Sequence, residues 1–136
     1  MTEPGWNSQS SAVAAFSVES NSGDVFSIAP GASQATNLNL QNPPGPSLGT
    51  DRAGYIYVGG HEGDIAVYSP GSTTAGRFIT LGVNGFYTGM AVTANGTIYW
   101  PNYDNNTMYE IAPGASGPIN VFDTQGSGTD VAVGVR

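Results

Sequence analysis

Val25-Phe26-Ser27-Ile28-Ala29-Pro30-Gly31-Ala32-Ser33 returns as Ile65-Ala66-Val67-Tyr68-Ser69-Pro70-Gly71-Ser72-Thr73, and again as Met108-Tyr109-Glu110-Ile111-Ala112-Pro113-Gly114-Ala115-Ser116. The prolines stand at 30, 70 and 113, so the spacing is 40 and then 43 residues. Each copy is a short apolar run stopped by Pro-Gly, in which proline presets φ for a turn and glycine accepts the positive φ that follows. A period of about 40 to 50 residues built of short strands and turns is the pattern of a propeller blade, a four-stranded sheet set radially about an axis.

Working outward from the middle copy, alternation and turn residues divide its unit into four strands, near 47–51, 55–59, 64–69 and 76–81. Arg52-Ala53-Gly54, Gly60-His61-Glu62-Gly63 and Pro70-Gly71-Ser72 supply the turns between them. The third unit repeats the order at 88–93, 97–101, 107–112 and 118–123, with Asn95-Gly96 marking a hairpin. Gly and Pro interrupt every stretch long enough for a helix, so the fold expected is all-β.

The first unit is incomplete. Aligning Pro30 with Pro70 gives it strands at 14–19, 24–29 and 35–40 but no innermost strand, while Gly128-Thr129-Asp130-Val131-Ala132-Val133 at the other end matches the first strand Gly89-Met90-Ala91-Val92. One blade is thus split between the two ends of the chain. Propellers have about 4 to 8 blades, and three wedges are too few to surround an axis. Two chains give six. The expectation is a β-propeller with one half-propeller domain over 1–136: blade 1 from 12–42 completed in trans by 128–136 of a second chain, blade 2 at 46–82 and blade 3 at 86–124. The ring closes as a two-fold homodimer by strand exchange. Because the sequence starts at Met1, a naturally short or designed chain is expected rather than a cut piece.

Composition narrows the partners. Three Lys or Arg against ten Asp or Glu give a net charge of -7, which excludes the basic stripe that nucleic acid needs and disfavours an anionic membrane. Cysteine is absent, so thiol chemistry and disulfides are excluded and the redox compartment stays open. Residues 1–11 are polar without a basic residue, and no apolar run approaches about 18 residues, so a soluble chain with no signal peptide is expected and localisation is undefined. The Asn95-Gly96-Thr97 and Asn105-Asn106-Thr107 sequons matter only in a secreted eukaryotic protein.

The third unit carries a family resemblance. Gly89-Met90-Ala91-Val92, a Gly-containing turn, Ile98-Tyr99-Trp100, the loop Asn102-Tyr103-Asp104-Asn105-Asn106 and Tyr109-Glu110-Ile111 resemble the blades of NHL-repeat six-bladed propellers, a superfamily related to gluconolactonase and virginiamycin-lyase-like propellers. The resemblance implies a six-bladed ring. It spans activities from protein interaction to lactone hydrolysis, and the lactonase metal ligands and the lyase histidine and glutamate arrangement have no counterpart here. Fold does not decide function.

Candidate site residues gather on one rim, where loops from strand four to the next blade lie beside loops from strand two to strand three. His61, the only histidine, stands between Gly60 and Glu62 with Asp64 nearby, and is a possible general base or metal ligand, though the bland alternative is a solvated loop residue. In a dimer the two histidines sit across the ring and cannot share one zinc. Glu19, Asp24, Glu62, Asp64 and Asp104 offer oxygen to a divalent cation, but no spaced calcium loop is present, and Asp24 and Asp64 recur as turn caps. No metal or cofactor is therefore expected. Aromatics are the better lead: Phe86 and Tyr87 precede a first strand, Trp100 and Tyr103 border the neighbouring loop of the same blade, and an acidic rim with the amides of Asn102, Asn105 and Asn106 adds directional hydrogen bonds. Tyr55, Tyr57, Tyr68, Tyr99, Tyr109, Phe26, Phe78 and Phe122 are expected between blades, and Trp6 in a tail over an edge.

The leading expectation is a non-enzymatic binding module or scaffold, with a small molecule, glycan or peptide touching His61, Glu62, Tyr87, Trp100, Asn102, Tyr103 and Asp104. The alternatives are a metal-dependent lactonase or lyase-type enzyme and a duplicated or engineered half-propeller scaffold without a ligand.

Overall fold

The repeated Pro-Gly step closes one turn three times in the computed structural model, which describes residues 14–19, 22–128 and 130–134. Ala32, Ser72 and Ala115 donate their N–H groups to the carbonyls of Ala29, Ser69 and Ala112, each at 3.0 Å. Gly31, Gly71 and Gly114 hold φ of 79°, 79° and 76°. Proline second and a positive-φ glycine third is the type II turn, so this chemistry recurs wherever the sequence repeats it.

The turns join eleven strands, and no helix occurs among the described residues: β1 (Ala15–Val18), β2 (Val25–Ile28), β3 (Thr36–Asn37), β4 (Ser47–Thr50), β5 (Ile56–Gly59), β6 (Asp64–Tyr68), β7 (Arg77–Thr80), β8 (Ala91–Val92), β9 (Ile98–Asn102), β10 (Thr107–Ile111) and β11 (Asn120–Asp123). They form three antiparallel sheets, β1-β2-β3, β4-β5-β6-β7 and β8-β9-β10-β11, each a meander in chain order. Sheet 1 has three strands, with β1 as an edge. The expected strand over 35–40 shrinks to two residues because Asn39 turns left-handed at φ 55° and its N–H bonds Asn37 Oδ1 at 2.8 Å. The Asn95-Gly96 hairpin is present as a three-residue loop: only Gly96 takes a positive φ, and Thr93 N–H reaches Thr97 O at 2.8 Å.

Two apolar seams join the sheets. Between sheets 1 and 2 lie Val25, Leu40, Ile56, Val58, Ala66 and Tyr68. Between sheets 2 and 3 lie Tyr57, Ile65, Val67 and Ile79 from one side, with Tyr87, Met90, Ile98, Trp100, Tyr109 and Ile111 from the other. Trp100 is fully buried, stacks on Tyr87 at 4.0 Å between centroids, and donates its Nε1–H to Ser47 Oγ at 3.0 Å. A Cβ on Gly59 would collide with the Trp100 ring, so glycine in β5 makes the slot that the neighbouring sheet's indole fills.

Among the described residues, the second face of sheet 3 meets no sheet. Pairing registers define it: Tyr57↔Val67 and Ile65↔Ile79 in sheet 2 correspond to Tyr99↔Glu110 and Met108↔Phe122 in sheet 3. Tyr99 donates its hydroxyl to Glu110 Oε2 at 2.7 Å and Asn120 Nδ2 bonds Oε1 at 2.7 Å, which hold the Glu110 carboxyl below the usual carboxylate range. Residues 131–134 pass beside Tyr99 and Met108 across a cavity of about 310 Å³.

Of the expected exchange strand over 128–136, residues 129, 135 and 136 lie outside the described residues, and 128 and 130–134 join no ladder among the described residues. Residues 128 and 130 touch the chain just before β8. Thr88 Oγ1 bonds Gly128 O at 3.4 Å, and a Cβ on Gly89 would collide with Asp130. Ser47, at the start of sheet 2, donates its hydroxyl to the Thr88 carbonyl. Residues 1–13, with Trp6, lie outside the described residues.

Five aromatics depart from expectation: Tyr99 and Phe26 lie on the outer faces of sheets 3 and 1, and three others are exposed. Tyr55 is 39% exposed, Phe78 58% and Phe122 41%. Tyr55 precedes β5 at a turn, Phe78 sits on β7, an edge strand of sheet 2, and Phe122 lies on the outer face of sheet 3.

Candidate functional site

The β5–β6 loop and the β7–β8 connection meet on one rim because antiparallel strands return every second turn to the same end. In the first loop Gly60 N–H bonds Asp64 O at 2.9 Å and Gly63 takes φ 79°. The β9–β10 loop replaces that glycine with Asn106 at φ 53°. Asn tolerates the left-handed region best among residues with a side chain. In the corresponding β1–β2 loop Glu19 Oε2 takes both the N–H and the hydroxyl of Ser22 at 2.8 Å, so that turn is capped by Glu19.

Three rings line up across this rim. His61 and Phe86 lie 5.2 Å apart between centroids, tilted 52°, and Phe86 and Tyr103 lie 6.0 Å apart, tilted 48°. The backbone holds them there: Gly85 N–H bonds His61 O at 2.9 Å, Tyr103 N–H bonds Phe86 O at 2.8 Å, and Phe86 N–H bonds Asp104 Oδ2 at 2.9 Å. Phe86 is 49% and Tyr103 41% exposed. An exposed aromatic file pinned by main-chain bonds presents area to a ligand with little ordering cost.

The expected contact residues divide. His61, Tyr103 and Asp104 come together around Phe86, and Glu62 is exposed beside His61. Tyr87, Trp100 and Asn102 are buried beneath the rim. Tyr87 donates its hydroxyl to Val83 O at 2.7 Å, and burial pushes its phenol up to about 12. Asn102 Oδ1 accepts the N–H groups of Asp104 and Asn105 at 3.0 and 3.3 Å, so it shapes the loop that carries Tyr103. A Cβ on Gly85 would collide with the Asn102 amide, which makes glycine necessary beside Phe86. Among the described residues no three His, Cys, Asp or Glu side chains cluster in a metal-binding group.

No family model matches the chain, and no curated protein matches it in sequence. Among solved structures, YCF48 bound to D1 peptide matches with a TM-score of 0.54 at 14% identity, over 81% of this chain and 36% of that chain. YCF48 is a β-propeller protein. The fold is propeller-like. At this identity the likeness concerns architecture alone, and this chain spans little more than a third of the propeller it matches.

Proposed function

We propose that this propeller-like chain is a non-enzymatic binding module that closes as a two-fold homodimer into a six-bladed ring and takes a peptide segment on the rim formed by His61, Phe86 and Tyr103. The observation that carries the rim is the exposed file of three rings held by Asp104. A peptide suits it, since apolar side chains cover the rings while its backbone meets Asp104, Asn105 and the loop amides. Tyr87, Trp100 and Asn102 support the rim from beneath. That a similar propeller was solved with a peptide agrees with this reading.

The ring rests on the uncovered faces. Sheet 3 presents Tyr99, Met108 and Phe122 at positions whose sheet 2 equivalents are buried, and sheet 1 presents Ala15, Phe26 and Ile28 at positions equivalent by register to Ile56, Ala66 and Tyr68. In the dimer the first face packs on the second, and residues 128–136 of each chain supply the missing innermost strand of the other's blade 1. The blades are 12–42 with that strand, 46–82 and 86–124.

Selection of a displayed random-peptide library on the wild-type protein tests the rim. Binders are expected to weaken about tenfold or more with Phe86→Ala or Tyr103→Ala, both exposed, at unchanged melting temperature and with chelator present. Binders indifferent to both substitutions, or none at all, overturn it.

A further inference from the structure

The opposite end of the seam between sheets 2 and 3 holds a second cleft. Its volume is about 210 Å³, and its walls come from the β4–β5, β8–β9 and β10–β11 turns together with β5 and β7. Asp51, Tyr57, Arg77 and Asn95 bring polar groups to it, and the 39% exposed Tyr55 ring forms a wall. We propose that this cleft binds a neutral saccharide ring.

The groups are fixed before any ligand arrives. Tyr57 donates its hydroxyl to Asp51 Oδ2 at 2.8 Å, and Tyr55 N–H bonds Asp51 Oδ1 at 3.0 Å. Arg77 Nη1 crosses the seam to Ala115 O at 3.1 Å, while Asn95 Oδ1 accepts Thr97 N–H at 3.2 Å. The cleft therefore combines an acceptor-only carboxylate, a donor-only guanidinium with further N–H groups, and an amide. One negative and one positive side chain leave no net attraction for an ion of either sign. A hydroxyl both donates and accepts, so neighbouring hydroxyls of one ring satisfy Asp51 and Arg77 together, and the C–H face of the ring lies on Tyr55. The volume falls below the roughly 300–1,000 Å³ of drug-sized sites, which fits a single ring.

The other seam provides the control. Gly54, Pro70 and Gly71 there repeat Gly96, Pro113 and Gly114, and a cavity of about 340 Å³ opens at the same end. Its walls are Ala14, Phe16, Leu38, Leu40 and Ile56 with Ser and Thr, and Phe16 occupies by register the position of Tyr57. Two copies of the turn frame thus carry different chemistry. The frame itself does not require Asp51, Tyr57 and Arg77, and a ligand at the second seam gives them a use.

The test is saturation-transfer NMR and calorimetry on the full chain with glucose, galactose, mannose, fucose and N-acetylglucosamine. At least one sugar is expected to bind, to lose affinity about tenfold or more with Arg77→Ala and with Tyr55→Ala, and to be unaffected by Phe86→Ala. Tyr55 is exposed, so its variant folds even where Arg77→Ala loosens the seam. No binding by any of the five sugars overturns the proposal, as does binding that survives Tyr55→Ala or is lost with Phe86→Ala. Peptide binding at the rim is scored separately, so either site can fail alone.

Discussion

Sheets 2 and 3 present equivalent faces to opposite fates. In sheet 2, Tyr57, Ile65, Val67 and Ile79 are buried against the next sheet, with Ile65 and Ile79 fully inaccessible. In sheet 3 the same register positions hold Tyr99, Met108, Glu110 and Phe122, and Phe122 remains 41% exposed. The difference is a neighbour, since both sheets share the meander and the Pro-Gly turn. A largely apolar face left open while its sister face is fully covered marks a surface suited to a partner.

The largest effect comes from removing what fills the covered seam. Trp100→Ala is expected to cost about 3–5 kcal/mol, since it empties a slot shaped by Gly59 and removes the bond to Ser47 and the stack on Tyr87; urea melts read the loss. Ile79→Ala follows at about 2–5 kcal/mol, whereas Phe122→Ala at the equivalent position is expected to leave monomer stability within about 1 kcal/mol and instead weaken self-association. Equal destabilisation by both would erase the contrast between the faces.

A smaller effect separates the seam's polar edge from its apolar middle. Burial first, then the hydrogen bond to Asp51, pushes the Tyr57 phenol up to about 12. The neutral form is favoured in the folded state, so its contribution is whole below the ordinary phenol value near 10 and is lost as pH rises from about 10 to 12. Tyr57→Phe is expected to cost about 1 kcal/mol at neutral pH and to flatten part of that alkaline decline in thermal melts. An unchanged decline would assign it to other groups, Tyr87 foremost.

Much of the fold was legible because its punctuation is local. Pro30-Gly31, Pro70-Gly71 and Pro113-Gly114 each carry the whole specification of a turn, and alternation around them marks strands that pair in chain order. What one strand cannot display is the neighbour's shape. Trp100 reads as a rim residue in its own sequence, yet it is buried because a glycine 41 positions earlier vacates the space. Phe78 and Phe122 read as core by alternation, yet one lies on an edge strand and the other on the open face. Within the site, His61, Phe86 and Tyr103 belong to three separate loops, and only topology brings them into file. The cleft of Asp51, Tyr57 and Arg77 is assembled in the same way from separate elements, and its arginine, in a chain with only three Lys or Arg, is the one mark of it in the sequence.

The measurement that tests closure most directly is absolute solution mass by light scattering over a concentration series, for the wild type and for Phe122→Asp. A wild-type mass near twice the 13.9 kDa of one chain, falling to one chain with Phe122→Asp while the strand signature in circular dichroism persists, is the predicted result. A folded wild-type monomer throughout the series would contradict the shared ring.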